Sequence, residues 1–417
     1  MDKALLKKTI DDWQEVKLKI FQLSNPRLNK ITKPTNDIGK ALIGVRRSGK
    51  TTSSIKMFKD HNLETVLYYN FEDPLFYPNA KATDIENLIS VAEEYSKVKI
   101  EVLIFDEIQN VDGWERSVRK IIDSKKYKVV VTGSSSKLLS KELATAIAGR
   151  AIEKIIWPLS FKEFLLFKNL NLTQVSNSHF REYLMWGGFP EVVLAKEEER
   201  LDILNQYFSD IVLKDIINRN QIRNKRSLDM IVNYYYTNLS SLHSYSSIKK
   251  AFSLGVDTVL SYTRMLSEAF LIFEVERFHH NLKVQSRDPK KVYVIDNGLR
   301  KIVARSINDD LGKLLENLIY LELRRQNKKV MYFKQKQEVD FLILENYIPI
   351  QAIQVTASNL EDEKTYNREV TAILECIREC RLEKGIILTW DREEKIKIAG
   401  KIIEFIPAYK WLLDSSL

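Results

Sequence analysis

Residues 44–51 read Gly-Val-Arg-Arg-Ser-Gly-Lys-Thr, directly after apolar Ala41-Leu42-Ile43 and before a stretch able to form a helix. This G-x-x-x-x-G-K-T pattern constrains the fold more than any other feature, because it joins a buried strand to a helix N-terminus. The glycines let backbone N–H groups turn inward around phosphate, Lys50 reaches the β and γ phosphates, and Thr51 holds Mg²⁺. Gly44, Arg46, Arg47, Ser48, Gly49, Lys50, Thr51 and Thr52 are therefore the expected ATP-binding set. About fifty residues on, Glu101-Val-Leu-Ile-Phe-Asp106-Glu107 supplies an apolar strand ending in two acids. Asp106 is expected to hold Mg²⁺ through water, and Glu107 to orient the attacking water.

A chain of 417 residues has material for about two to four domains. No apolar run approaches the roughly 18 residues of a membrane span. Charges are scattered from Met1 to Ile20, which is not the pattern of a signal peptide. Cys376 and Cys380 lie one helical turn apart with no histidine nearby to complete a zinc set. They read as reduced thiols in the cytosol. The net charge of +9 comes from 65 basic against 56 acidic residues, a modest excess that permits a polyanionic partner without demanding one. The same Lys/Glu density suits a solvated or heat-tolerant surface.

Periodicity predicts an amphipathic helical segment to about Ile31 and then alternating strand and helix. Strands are expected at Ala41–Val45, Thr65–Phe71, Val102–Asp106, Lys128–Thr132 and Ala151–Ile156, with helices to about Lys59 and at Ile85–Lys97. That order predicts an α/β fold with a parallel, helix-flanked sheet, binding its ligand at the carboxyl ends of the strands. Beyond Phe164 the pattern is mostly helical to Ser241, broken at Gly187-Gly188. Tyr245–Phe252, the turn at Gly255 and Asp257–Ala269 have helix-turn-helix spacing. Strands at Leu271–Phe278 and Lys291–Ile295 flank a polar loop with His279, His280, Lys283, Arg287 and Lys290. This grouping suggests a winged helix. From about Ile307 the expectation is a helix (Leu311–Gln326), three strands (Val330–Phe333, Val339–Leu344, Ile348–Val355), a helix (Glu361–Arg381) and a strand (Lys384–Thr389).

Further motifs are Asn70-Phe-Glu-Asp73, Phe105-Asp-Glu-Ile-Gln109 followed by Trp114, Val131-Thr-Gly-Ser134, Gly149-Arg150, Pro158-Leu-Ser-Phe161 and Gly187-Gly-Phe-Pro190. With the phosphate loop, this set resembles prokaryotic, especially archaeal, AAA+-like P-loop ATPases over nearly the whole chain. The resemblance implies an N-terminal helical segment (1–36), an ATPase core (37–165), a helical lid (166–205), a winged helix (206–305) and a restriction-endonuclease-like domain (306–417). It also implies a sensor of the γ-phosphate at Thr132 or Ser134 and an arginine finger at Arg150, possessed in trans by a homo-oligomer. Gln109 either positions water or caps the following turn.

Active nucleases of the endonuclease-like fold set two carboxylates and a lysine around Mg²⁺. Here Asp340 matches the aspartate strand and Glu316 lies on the helix before it, but Gln354 and Thr356 stand where the resemblance implies Glu and Lys. Cleavage is therefore not expected, although Glu316 and Asp340 retain the makings of a metal pocket. On the recognition helix, Thr258, Ser261, Tyr262 and Arg264 are the candidate DNA contacts. The resulting expectation is a cytoplasmic ATPase, with ATP and Mg²⁺ as cofactors, coupling nucleotide state to DNA. The alternatives are a signalling switch whose C-terminal half binds protein, and an ATP-gated nuclease.

Overall fold

The computed structural model describes residues 3–23, 25, 27–28, 31–134, 149–172, 175–285, 287–304, 310–358 and 360–415. The chain divides into two compact units, Met1–Ile156 and Trp157–Leu417. The boundary expected at 305–306 lies outside the described residues.

The first unit runs α1 (Lys3–Leu23), β1 (Gly39–Ile43), α2 (Lys50–Lys56), β2 (Val66–Asn70), β3 (Ala80–Lys81), α3 (Ala82–Tyr95), β4 (Val102–Asp106), β5 (Val111–Asp112), α4 (Trp114–Asp123), β6 (Lys128–Gly133) and β7 (Ala151–Ile155). Five strands form one parallel sheet in the order β2-β4-β6-β1-β7. Strands β1 and β4 are buried at every position, as expected of near-continuous apolar runs covered on both faces. Leu42, Ile55, Phe58, Val66, Tyr68, Val102, Ile104 and Val130 form a core. Helix α4 went unread in the sequence, although it buries Trp114, Val118, Ile121 and Ile122 along one face.

Helix α1 is part of this unit. Trp13, Val16 and Ile20 pack on the sheet core, and Trp13 Nε1 donates to Asp73 Oδ2 at 2.7 Å. At the outer edge of β2, Gln14 acts as a substitute strand residue: its Nε2 donates to Tyr68 O at 2.9 Å and its Oε1 accepts from Tyr68 N at 3.4 Å. Lys17 donates to the carbonyls of Leu63 and Val66 at 2.6 and 2.5 Å. Burial of its ammonium pushes its pKa down to about 8.

The second unit begins with α5 (Phe161–Phe167), α6 (Asn177–Trp186), α7 (Pro190–Leu194), α8 (Glu197–Asp210), a π-helical segment (Ile211–Asn218) and α9 (Lys225–Thr237). Next come β8 (Leu242–His243), α10 (Tyr245–Phe252), α11 (Val256–Glu268), β9 (Ile272–Val275), the single turn α12 (Leu282–Gln285) and β10 (Lys290–Val294). Strands β8, β10 and β9 make a three-stranded antiparallel sheet beside the helix-turn-helix. The chain ends with α13 (Asn297–Val303), α14 (Leu311–Arg325), β11 (Lys329–Lys334), β12 (Glu338–Glu345), β13 (Ile348–Val355), α15 (Glu363–Glu379), β14 (Lys384–Thr389), β15 (Glu394–Ile398), β16 (Lys401–Pro407) and α16 (Ala408–Ser415). Its six-stranded mixed sheet has the order β11-β12-β13-β14-β16-β15. Helix α15 covers that sheet through Val370, Ile373 and Ile377.

Two motifs of the second unit meet in one knot. Leu159 N donates to Gly188 O at 2.7 Å, and Tyr183 donates its hydroxyl to Leu159 O at 2.6 Å. Arg325 donates to the carbonyls of Pro158 and Leu159. The buried Asp296 carboxylate accepts from Gly188 N at 2.7 Å and Gly298 N at 2.8 Å. Any side chain at Gly187, whose φ is +75°, would collide with that carboxylate, and one at Gly188 would strike Leu159 O at 2.3 Å. The Gly-Gly pair is thus required by packing.

Candidate functional site

Strand β6 lies between β1 and β4, so the parallel register aligns the phosphate loop after β1, Thr132 near the end of β6 and Asp106-Glu107 at the end of β4. Three hydroxyls converge on the fully buried Asp106. Thr51 donates to its Oδ2 at 2.7 Å, Tyr68 to the same oxygen at 3.0 Å, and Thr132 to Oδ1. Burial raises the Asp106 pKa, with adjacent Glu107 as the next cause, while the hydroxyl donors and Lys50 pull it back. Lys50 is buried and donates to the carbonyls of Gly44 and Val45 at 3.1 Å each. Its ammonium lies 4.0 Å from Glu107 Oε1.

Glu107 adopts a left-handed backbone, φ 50° and ψ 43°, a conformation that costs about 1–3 kcal/mol for a side-chain-bearing residue and clusters at functional positions. Thr132 Oγ1 accepts its N–H at 3.2 Å, and Gln109 Nε2 donates to its Oε2 at 2.5 Å. Gln109 Nε2 also reaches Ser134 Oγ at 3.5 Å. Gln109 is thus bonded to the side chain of Glu107 as well as sitting in the turn.

The remaining loop residues divide. Arg46 pairs with Glu72 at 2.7 Å, and Asp73 holds Trp13, so the Asn70–Asp73 motif braces the loop and α1. Arg47 has φ 65° and Gly49 φ 94°, the left-handed backbone of a turning loop. Ser48 is fully buried, and Thr52 is on α2. The oxygen donors Thr51 and Asp106 suit Mg²⁺ that keeps waters and substrate phosphates as its other ligands. Among the described residues no group of three or more His, Cys, Asp or Glu side chains is arranged to hold a metal.

Two participants escaped the sequence reading. Tyr68 reaches Asp106 from the body of β2, two residues before the Asn70–Asp73 motif. Arg27 donates to Ser48 O at 2.9 Å, which sets the segment before β1 against the phosphate loop. Beside it, a cavity of about 370 Å³ is flanked by Leu28, Ile31 and Met57 with Lys33, Thr52 and Lys56, apolar walls with a polar rim of the kind that takes a small ligand.

Arg150 is elsewhere. Its carbonyl accepts from Gly39 N at 2.7 Å, at the start of β1, so a strand length of roughly 15 Å separates it from the phosphate loop of its own chain. Its side chain is half-exposed and pairs with Asp123 at 2.6 Å. Residues 135–148, which precede it, lie outside the described residues.

In the second unit, Glu316 and Asp340 do meet, but around a lysine. Lys291 Nζ lies 3.0 Å from Glu316, 2.9 Å from Glu338 and 2.8 Å from Asp340, and the side chain is 2% exposed. Tyr293 donates to Glu316 at 2.6 Å. Gln354 accepts from Asp340 N and donates to Glu369, while Thr356 is buried. The expected metal pocket is corrected accordingly: an ammonium occupies the centre of the acids. Helix α11, expected from the sequence to contact DNA, is also less available than expected. Tyr262 donates to Asn224 O at 3.3 Å, Arg264 pairs with Glu268 at 3.2 Å, Thr258 and Ser261 are half-buried, and Val256 and Leu260 are exposed. Lys290 lies 3.7 Å from Glu274. Arg264 remains solvent-exposed, and further exposed cations lie at Lys249 and Lys250 on α10 and at Arg223, Lys225 and Arg226 around the start of α9.

Residues 37–165 match the AAA domain family, and residues 177–310 match a domain of unknown function, DUF8612. An uncharacterised protein of Methanocaldococcus jannaschii, MJ1544, is 35% identical over 400 residues, covering 90% of this chain and 88% of that protein. An uncharacterised protein of Haemophilus influenzae is 32% identical over 391 residues, covering 91% and 95%. Among solved structures, the Aeropyrum pernix ORC1 protein in complex with DNA gives a TM-score of 0.31 at 10% identity, covering 70% of this chain and 90% of that one. Cdc6p from Pyrobaculum aerophilum gives 0.27 at 12%, covering 74% and 94%. Family membership rests on the AAA domain match and the two full-length relatives. The protein carries an AAA+-type P-loop fold followed by a C-terminal region, and it belongs to the same family as MJ1544.

Proposed function

We propose that the protein hydrolyses ATP at the carboxyl end of its parallel sheet and uses the nucleotide state to control DNA engagement by its second unit. The observation that carries the ATPase reading is the convergence of Lys50, Thr51, Thr132, Asp106 and Glu107 from three adjacent strand ends. Lys50 exchanges its loop carbonyls for phosphate oxygens, and Thr51 with Asp106 holds Mg²⁺, which supplies charge neutralisation when bound. Glu107 orients the attacking water, and Thr132 ties it to Asp106 so that both respond to the same phosphate. Leu28, Ile31 and Met57 take the base. Arg150, far from its own loop, serves a neighbouring copy in a homo-oligomer; its exposed pair with Asp123 is weak and easily exchanged.

The DNA reading draws on Arg223, Lys225 and Arg226 beside a winged-helix element order, and on the net charge of +9. A protein partner is the second reading, favoured by the apolar exposure of Val256 and Leu260 on α11. Two free thiols, Cys376 and Cys380, suit a reducing cytosol. The deciding experiment is the ATP hydrolysis rate with and without single-stranded, duplex and branched DNA. Stimulation that weakens with salt supports the DNA reading, and indifference to all three favours the protein-coupled switch.

A further inference from the structure

The only two cysteines of the chain stand one turn apart at the end of α15. Cys376 is fully buried in the core that this helix makes with the six-stranded sheet, among Val370, Ile373 and Ile377. Cys380, at the cap, is partly buried and packs against the same core. Its N–H donates to Cys376 O at 2.9 Å, and Leu382 N closes the helix onto Ile377 O at 2.8 Å. The helical hydrogen bond is thus kept between the two cysteines, and their i,i+4 spacing puts both side chains on one face. Each thiol is the other's hydrogen-bond partner.

Spacing decides what the pair can do. Cβ atoms four residues apart on a helix are about 5–6 Å from each other, whereas a disulfide needs about 3.5–4.5 Å. Oxidation to a disulfide would therefore require the end of α15 to unwind. A single atom held by two bonds to sulfur of about 2.3 Å spans the gap with the helix intact. Among the described residues no group of three or more His, Cys, Asp or Glu side chains is placed to hold a metal, so an ion that demands four ligands, such as Zn²⁺, is not served. Charge selects further. Two thiolates around a univalent ion such as Cu(I) leave one negative charge in an apolar surrounding, which is costly. Two thiolates on an arsenic(III) atom that already carries one carbon substituent leave none.

We propose that Cys376 and Cys380 form a dithiol site that captures a mono-organic trivalent arsenical, R–As(OH)₂, as one neutral chelate. The reaction is a condensation: two S–H and two As–O bonds break, two As–S bonds form, and two waters leave with no change of oxidation state. The two thiols are unequal, which sets the order of events. The hydrogen bond with Cys376 holds the Cys380 thiol below its ordinary value against burial, while the same bond and burial push Cys376 up. Cys380, the more exposed, attacks first. Cys376 then closes the ring from the interior.

The test uses the full-length reduced protein, phenylarsine oxide as the probe and intact-mass spectrometry as the readout. Wild type is expected to take up one phenylarsenic group per chain with loss of both thiol hydrogens, to keep it in excess glutathione and to release it to dithiothreitol. Because the second As–S bond is intramolecular, half-release from wild type should need about 10²-fold more glutathione than half-release from Cys380→Ser. Cys376→Ala, checked for folding by its urea midpoint, should behave like Cys380→Ser. If it does not fold, Cys380→Ser, changed at the partly exposed position, carries the comparison alone. The proposal is overturned if wild type takes up no probe, if it takes up two groups, or if glutathione strips wild type and Cys380→Ser at the same concentration. Transfer of one Cu(I) per chain from its bathocuproine disulfonate complex would overturn the choice of ligand class. An intramolecular disulfide formed with diamide at unchanged helical circular dichroism would overturn the spacing on which the site depends.

Discussion

Lys50 and Glu107 are buried neighbours with separable tasks, so their replacement should split two steps that the wild-type site performs together. Lys50→Ala removes a direct phosphate contact and should weaken ATP binding. Glu107→Gln keeps the shape but loses the acceptor for water, so ATP should still bind while kcat falls about 10²-fold or more. Fluorescent-nucleotide titration and phosphate release distinguish the two. Arg150 acts across a different distance. If it completes a neighbour's site, Arg150→Ala alone should lose about 10³-fold or more in rate, and mixing it with Lys50→Ala protein should restore part of the activity. Full activity of Arg150→Ala alone would rule out the finger. These residues were visible in the chain because the phosphate loop and the acidic strand end are contiguous motifs. Tyr68, Arg27 and Lys291 were not, since each reaches its partner from an element whose local sequence has no reason to advertise it.

At the scale of elements, the turn at Gly187-Gly188 and the cap of α13 share one carboxylate. Burial pushes Asp296 up to about 7, against the backbone N–H donors that lower it. The folded state therefore holds a proton that the unfolded chain has released above pH ~4. Stability from this group is greatest at low pH and declines as pH rises from about 4 through about 7. Asp296→Asn retains an oxygen acceptor and should flatten this dependence, which otherwise amounts to on the order of 2–4 kcal/mol, in urea unfolding measured from pH 5 to 8. The cluster around Lys291 makes the opposite demand. Lys291→Met leaves Glu316, Glu338 and Asp340 without their cation and should destabilise the protein by about 3–5 kcal/mol, read as a lower urea midpoint. Such elements were unevenly legible. The parallel strands follow from long apolar runs and the helix-turn-helix from two helical stretches at turn spacing, although the left-handed residue of that turn is Ser253, φ 56°, and not Gly255, φ −68°; β15 alternates lysine and isoleucine at a sheet edge and is short enough to pass for a loop.

For the molecule as a whole, the question is whether turnover and DNA are linked. Each cation that neutralises a phosphate adds about one to the slope of log affinity against log salt. Removing Arg223, Lys225 and Arg226 together should lower that slope by about 3 and weaken binding similarly for all sequences. A fluorescence-anisotropy titration at several salt concentrations measures both. An unchanged slope would place any DNA contact elsewhere. The charge total alone did not single out this segment, because a net excess says nothing about which cations are already committed to carboxylates, as Arg264 and Lys290 are.

The docking of α1 along β2 has a practical corollary for anyone dividing the chain. The AAA domain match starts at residue 37, and a fragment cut there would lose Gln14 and Lys17, the side chains that finish the open margin of the sheet. It would present the raw backbone of β2 and a bared apolar face to other copies, the circumstance in which edge strands aggregate. The ATPase fragment worth expressing starts upstream of Trp13, and the solubility of the two versions would show how far this helix acts as a built-in chaperone for the sheet.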